Sequence, residues 1–196
     1  MGKDFVSDRH IKTTSIYTEE RLEEIKTKAA DFNVNPEYIE ISFSNECNFK
    51  CGYCHPKASS RYWNEIKQHG PYAKSTVHRQ DIDWFKVYAK EEENPYVDAW
   101  WEWWPEVSKT LNILRITGGE PLMHKSLWEL FDRLDKDPKP HLQIEVNSNM
   151  GVKPKLVQKL TDTVKNLKKD GKIRSFKLYT SCLLYTSDAA DDWSSV

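Results

Sequence analysis

The feature that most constrains the fold is a regular alternation of strand-like and helix-like segments. Alternating apolar and polar residues predict strands over residues 38–44, 111–117, 142–147 and 173–181. Helical spacing of apolar residues predicts intervening helices over 82–92 and 96–109, from Ser126 onward and from Pro154 onward. The order β-α-β-α-β-α-β predicts an α/β fold with a parallel sheet or barrel and right-handed crossovers.

Capping residues predict where several helices begin and end. Thr18 and the glutamates after it predict an additional N-terminal helix that ends near Phe32. Ser126 and Glu129 have the spacing of a capping box, and Gly171 can end the helix that begins at Pro154. We therefore expect an N-terminal helical extension over residues 1–37 and an α/β core over residues 38–181.

Polar segments follow three of the predicted strands directly. A cysteine cluster follows the first strand, the segment Gly118–Pro121 (GGEP) follows the second, and Asn147–Asn149 (NSN) follows the third. Because the carboxyl ends of parallel strands meet at one rim, the three segments are expected to converge there.

The predicted strands also carry an unusually polar face. Its members are Glu40, Ser42, Arg115, Thr117, Gln143, Glu145, Asn147, Lys177 and Tyr179. Such a face is unlike the branched aliphatic interior of a closed barrel. Mutual pairing of these charges is one interpretation, and a site for a polar, charged cofactor is the other, which we favour because unpaired charges there would be costly.

Composition excludes several function classes. Lys and Arg number 29 against 30 Asp and Glu, so the net charge of -1 predicts neither nucleic-acid binding nor attraction to an anionic membrane. No apolar run reaches the ~20 residues of a membrane-spanning helix, and no signal-peptide pattern opens the chain. We therefore expect a cytoplasmic protein without a membrane partner.

Three of the four cysteines lie in the segment SNECNFKCGYCH, at Cys47, Cys51 and Cys54. In a reducing compartment such a cluster favours a metal site over disulfides. A 4Fe–4S cubane held by four cysteines is coordinatively full, whereas three cysteines leave one iron open to a reacting ligand.

The spacing Cys-x3-Cys-x2-Cys, with the aromatic Tyr53 before the third cysteine, resembles the cluster motif of the radical S-adenosylmethionine (SAM) superfamily. GGEP after the second strand resembles that family's second signature. The resemblance covers roughly residues 38–181 and is closest to members with a short "twitch" C-terminal extension. It implies a partial (β/α)6 barrel, truncated here after about the fourth strand.

The resemblance also implies cofactors and contacts. A 4Fe–4S cluster on Cys47, Cys51 and Cys54 would bind SAM and cleave it, by one-electron reduction, to a 5′-deoxyadenosyl radical that abstracts hydrogen from a substrate. Expected SAM contacts are Tyr53 near the adenine, Gly118, Gly119, Glu120 and Pro121 at the methionine end, and Asn147, Ser148, Asn149 and Ser181 at the ribose or carboxylate. The glycines suit this role because backbone without Cβ can approach a ligand closely.

Partners follow from the same resemblance. An electron donor such as flavodoxin or ferredoxin is expected. The substrate stays open between a peptide or protein and a nucleobase or other small metabolite.

Other interpretations of the cysteines stay open at this point. Cys51–His55 has the form C-x-x-C-H of a haem attachment site. The three cysteines and His55 could instead hold structural zinc, and Cys51 with Cys54 could form a redox pair. A metal-binding module without catalysis is the corresponding non-enzymatic function. His55 is otherwise expected to be a loop residue that tunes the cluster.

Two further segments have competing explanations. The run Trp100, Trp101, Trp103 and Trp104 is expected to be mainly helix core rather than a substrate wall. Residues Cys182–Asp192 match the translation of a DNA string that resembles a transposase adapter from sequencing libraries, although duplication of residues 178–181 as 184–187 is the alternative. We expect residues 182–196 to be non-native and Cys182 to have no function.

Overall fold

The computed structural model describes residues 19–30, 34–51, 54–70 and 91–181. The helices are α1 (Glu19–Lys26), α2 (Ser60–His69), α3 (Pro95–Val107), α4 (Lys125–Lys136) and α5 (Pro154–Lys169). The strands are β1 (Tyr38–Ser42), β2 (Ile113–Thr117), β3 (Lys139–Ser148) and β4 (Ile173–Thr180). Three short 3-10 turns lie at Pro56–Ala58, Glu91–Glu93 and Pro121–Met123.

The four strands form one parallel sheet in the order β1-β2-β3-β4. Ile39 lies beside Leu114, Leu114 beside Ile144, and Ile144 beside Phe176, so each strand pairs with the next one along the chain. This arrangement confirms the predicted α/β class and matches a partial barrel. The carboxyl ends of β1, β2 and β3 consequently lie side by side.

The core lies between one face of this sheet and the helices. Leu114, Ile116, Ile144 and Val146 on the strands are fully buried. On α4, the residues that share the apolar stripe are Leu127, Leu130, Phe131 and Leu134, and all are buried with them. Burial of large aliphatic side chains of this kind contributes about 1.5–3 kcal/mol each.

The tryptophans of α3 belong mainly to this core, as predicted. Trp100 and Trp104 are buried, and Trp101 stacks on Phe43 with ring centroids 6.0 Å apart. Trp103 alone among the four stands well exposed, at 38%. Burial therefore accounts for most of this aromatic run.

One helix was not predicted. Helix α2 lies in the polar stretch after the cysteines, where its apolar content is low and Ile66 is its one buried residue. Ser59 caps it by accepting a hydrogen bond from Tyr62 N, and Gly70, with φ of 84°, ends it. The predicted helix over 82–92 lies largely outside the described residues, which include only its last two positions, within the turn Glu91–Glu93.

One predicted helix end and one predicted helix start differ from the structure. Helix α1 ends at Lys26 rather than near Phe32, and no residue of α1 is buried, so packing does not extend it. Helix α4 begins at Lys125, not Ser126, and Glu129 pairs with Arg133 instead of completing a capping box. The carboxylate of Glu91 caps α4 instead: it accepts hydrogen bonds from Lys125 N and Ser126 N, both at 2.8 Å, and from the Ser126 hydroxyl.

Candidate cluster and cofactor site

The loop that carries the cysteines is braced by the start of helix α2. Cys47 N donates to Ser60 Oγ at 3.1 Å, and Ser60 N donates to Asn45 O at 2.7 Å. Ser59 Oγ donates to Phe49 O at 2.7 Å. Because three backbone groups of the loop are bonded to two adjacent serines, the loop is fixed relative to the helix.

Cys47, Cys51 and Cys54 are all half-buried and form no disulfide. Cys54 N donates to Cys51 O at 2.8 Å, which closes a turn between the last two cysteines. Burial raises the pKa of the Cys47 and Cys54 thiols. A reactive C-x-x-C thiol has a lowered pKa, so these directions do not favour a redox pair. Tyr53 lies outside the described residues.

The GGEP segment lies directly against the cysteine loop. Gly118 and Gly119 have φ of 78° and 52°, values that favour glycine. A Cβ on Gly119 would stand 2.2 Å from Glu46 O, and one on Gly118 would stand 1.8 Å from Ser42 Oγ. The backbone at Gly119 therefore lies against the cysteine loop next to Cys47, and that at Gly118 lies against Ser42 of β1, while the expected approach to SAM stays a prediction.

Glu46 O is the point where the two segments join. It accepts a hydrogen bond from Glu120 N at 2.7 Å, and His124 Nε2 lies 3.2 Å from it. His124 was not singled out from the sequence, although it follows GGEP by three residues. Its ring is fully buried, burial lowers its pKa, and its Nδ1 has no partner within the described part of the chain. A neutral His124 that donates through Nε2 fits these contacts.

Glu120 has its carboxylate turned toward the third loop. The side chain is fully buried and accepts hydrogen bonds from Ser148 Oγ and Asn149 N, both at 2.7 Å, and from Leu122 N at 3.2 Å. Burial raises the pKa of this carboxyl despite those bonds. Glu120 thus links the GGEP and NSN segments, while Pro121 is buried at the start of the following turn.

The NSN segment reaches the cysteines through Asn149. Its Nδ2 donates to Asn48 Oδ1 at 2.9 Å and lies 3.9 Å from Cys47 Sγ. Cys47 Sγ also accepts a hydrogen bond from Phe49 N at 3.4 Å. Asn48, another residue missed from the sequence, donates to Gly151 O at 2.8 Å. The predicted convergence of the three loops is therefore present.

Two further residues were predicted to contact SAM, Asn147 and Ser181. Asn147 Oδ1 accepts a hydrogen bond from Arg115 Nε at 3.0 Å on the polar face of the sheet. Ser181 N donates to Ser148 O at 2.9 Å, and its side chain is exposed.

The polar face carries a row of alternating charges across all four strands: Glu40, Arg115, Glu145 and Lys177 lie side by side in register. Arg115 Nε lies 3.9 Å from Glu40, and Lys177 Nζ lies 3.6 Å from Glu145. Arg115 also covers the ring of Tyr179 at 4.7 Å. The charges are thus mutually paired rather than left unpaired for a charged cofactor, and the row has no net charge.

The residues present fit a 4Fe–4S cluster. Three thiols share a braced loop, and two N–H groups are directed at Cys47 Sγ, as is common for cluster sulfurs. Within residues 19–30, 34–51, 54–70 and 91–181, no three His, Cys, Asp or Glu side chains are placed to hold a single metal ion. None of the helices described in those ranges is long and apolar enough to cross a membrane.

Fold and loops together define a class: an α/β protein that presents three cysteines and a glycine-rich turn at one rim of a parallel sheet. The model of the Radical SAM superfamily matches residues 41–169. The chain belongs to this superfamily, whose members use a 4Fe–4S cluster and SAM.

Several similar proteins carry the same name, GTP 3′,8-cyclase. The chain is 25% identical to that of Sulfurovum sp. over 126 residues, which cover 64% of this chain and 31% of the relative. It is 29% identical to that of Desulforamulus reducens over 106 residues, or 53% and 24% of the two chains. The cyclase of Campylobacter jejuni is 28% identical over 112 residues, or 57% and 27%.

The matched region spans less than a third of the length of these relatives, at most 31%. No solved structure matches the chain significantly.

Proposed function

We propose that this chain is the cluster- and SAM-binding part of an enzyme that cleaves SAM reductively and uses the resulting radical on a substrate. The observation that carries the proposal is the junction at Glu46 O, where Glu120 N and His124 Nε2 meet the backbone next to Cys47. This junction holds the glycine turn beside the cysteines, as simultaneous binding of SAM and a cluster requires.

Each segment has a separate task in this proposal. Cys47, Cys51 and Cys54 would hold the cluster, and the backbone at Gly118 and Gly119 would bind the methionine end of SAM. When bound, the cluster and SAM supply a carbon radical by one-electron reduction of the sulfonium. Positioning and exclusion of water remain the tasks of the protein. The electron would come from a small redox protein such as a flavodoxin or ferredoxin.

For the substrate, we propose a nucleotide or a related small metabolite. The relatives are named for a reaction of GTP, which supports this class over the peptide or protein that the sequence left open. The polar face of the sheet offers carboxylates, cations and amides to such a molecule, whereas a peptide side chain would meet few apolar contacts there.

The test is anaerobic turnover by the full-length protein. Reconstituted enzyme with dithionite and SAM should form 5′-deoxyadenosine, and a matching nucleotide should accelerate its formation. A panel of purine and pyrimidine nucleotides would be compared with a panel of short peptides. Acceleration by peptides alone would contradict the substrate class, and absence of 5′-deoxyadenosine from cluster-loaded enzyme would contradict the activity.

A further inference from the structure

We propose that Asn149 is a positioning residue that hydrogen-bonds the Cys47 thiolate and raises the reduction potential of the cluster. The inference rests on the proposed function, because it takes Cys47 to be a cluster ligand. It assigns to Asn149 a role toward the cluster, in place of the contact with SAM that the sequence suggested.

Four hydrogen bonds fix the orientation of Asn149. Its backbone N donates to the buried carboxylate of Glu120 at 2.7 Å, and its Oδ1 accepts from Gly151 N at 2.7 Å. Its Nδ2 donates to Asn48 Oδ1 at 2.9 Å, and that same nitrogen lies 3.9 Å from Cys47 Sγ. Because Oδ1 is taken by a backbone N–H, the amide cannot rotate to present oxygen to the sulfur without losing that bond.

The amide therefore presents an N–H to a cysteine that already accepts another, from Phe49 N at 3.4 Å. Hydrogen bonds to cluster sulfurs are among the factors that set the reduction potential. A donor stabilises the more negative, reduced form more than the oxidised form, so it makes addition of an electron easier. The electron itself comes from the external donor and resides on the cluster.

A competing role for Asn149 is purely structural. The bond from Gly151 N to Oδ1 forms an Asx turn, which aspartate can form equally well. Substitution by aspartate thus keeps the turn but replaces the donor that faces the sulfur. Serine keeps a weaker turn of the same kind, adds no charge and leaves the sulfur without this donor.

The experiment measures the midpoint potential of the reconstituted full-length protein by a dye-mediated titration followed by electron paramagnetic resonance, without SAM or substrate. The variants are Asn149→Ser and Asn149→Asp. Asn166→Asp is the control, because Asn166 is exposed near the far end of α5 and receives the same added charge roughly 18 Å along the helix from Pro154.

We expect iron content to be kept and the potential to fall in the order wild type, Asn149→Ser, Asn149→Asp. The aspartate variant should lose about tenfold in the equilibrium constant for one-electron reduction, which is about 59 mV. Asn166→Asp should match the wild type.

Wild-type potentials in both Asn149 variants would overturn the proposal. Loss of the cluster or of the fold in both would also overturn it, because Asn149 would then serve only assembly. If only the aspartate variant loses the cluster, the potential of the serine variant decides. If the three proteins show the expected order of potentials but the wild type does not cleave SAM, the proposed function is contradicted and this inference stands.

Discussion

At the scale of single residues, Gly119 of GGEP and Gly171 after α5 have similar backbone conformations but different surroundings. Gly119 and Gly171 both have positive φ, at 52° and 66°. A Cβ on Gly171 would meet nothing within 4 Å, whereas one on Gly119 would stand 2.2 Å from Glu46 O. Substitutions at Gly119 and Gly171 therefore separate the cost of backbone strain from the cost of a collision with the cysteine loop.

We predict that Gly119→Ala destabilises the protein far more than Gly171→Ala. The alanine at 171 should cost only the left-handed conformation, about 1–2 kcal/mol. The alanine at 119 should add a collision with backbone and also impair cluster loading. Urea unfolding and iron content measure the two effects. Equal destabilisation of the variants, with full iron in both, would show that the Gly119 contact is unimportant.

At the scale of elements, the start of helix α4 is stabilised by a residue remote in sequence. Glu91 precedes Lys125 by 34 residues, and its carboxylate satisfies two of the free N–H groups of the first turn. The helix start also supports the site, because its N-cap residue is His124, which contacts Glu46 O.

We predict that Glu91→Ala lowers the free energy of unfolding by about 0.5–2 kcal/mol, the usual cost of losing an N-cap. Glu129→Ala is the matched control, since among the described residues Glu129 forms only an i,i+4 ion pair with Arg133, and its loss should cost about 0.3–0.5 kcal/mol. Chemical denaturation of both variants provides the comparison. A larger loss in Glu129→Ala would restore the capping box that the sequence suggested.

Elements with a local sequence pattern could be predicted, whereas features set by contacts between residues remote in sequence could not. Strand alternation and the apolar stripe of α4 are local patterns, and the parallel sheet follows from them. The Glu91 cap could not be predicted, because its spacing of 34 residues is set by tertiary contacts. Helix α2 was missed because its apolar content is low and Ile66 is its one buried residue, so it resembles the polar stretch around it. Likewise, convergence of the three loops was predictable from strand order, whereas the bond between Asn149 and Cys47 depends on side-chain orientation.

At the scale of the whole molecule, the described sheet has one apolar face and one polar face. The apolar face is covered by helices, and the polar face carries the paired charges of Glu40, Arg115, Glu145 and Lys177. Because that row is neutral, we expect these four residues to orient a ligand rather than attract it from a distance. The rim above the row carries the cysteines, GGEP and NSN, so the proposed site lies at one end of the sheet.

The central claim is that these three loops form one site for a cluster and SAM, and the reduced cluster's electron paramagnetic resonance spectrum tests it most directly. Anaerobically reconstituted full-length protein should bind about four irons. Its reduced spectrum should change when SAM is added. Cys47→Ala, Cys51→Ala and Cys54→Ala should each lose the signal, while Cys182→Ala should keep it. Stoichiometric zinc without iron, or a spectrum unchanged by saturating SAM, would contradict the account.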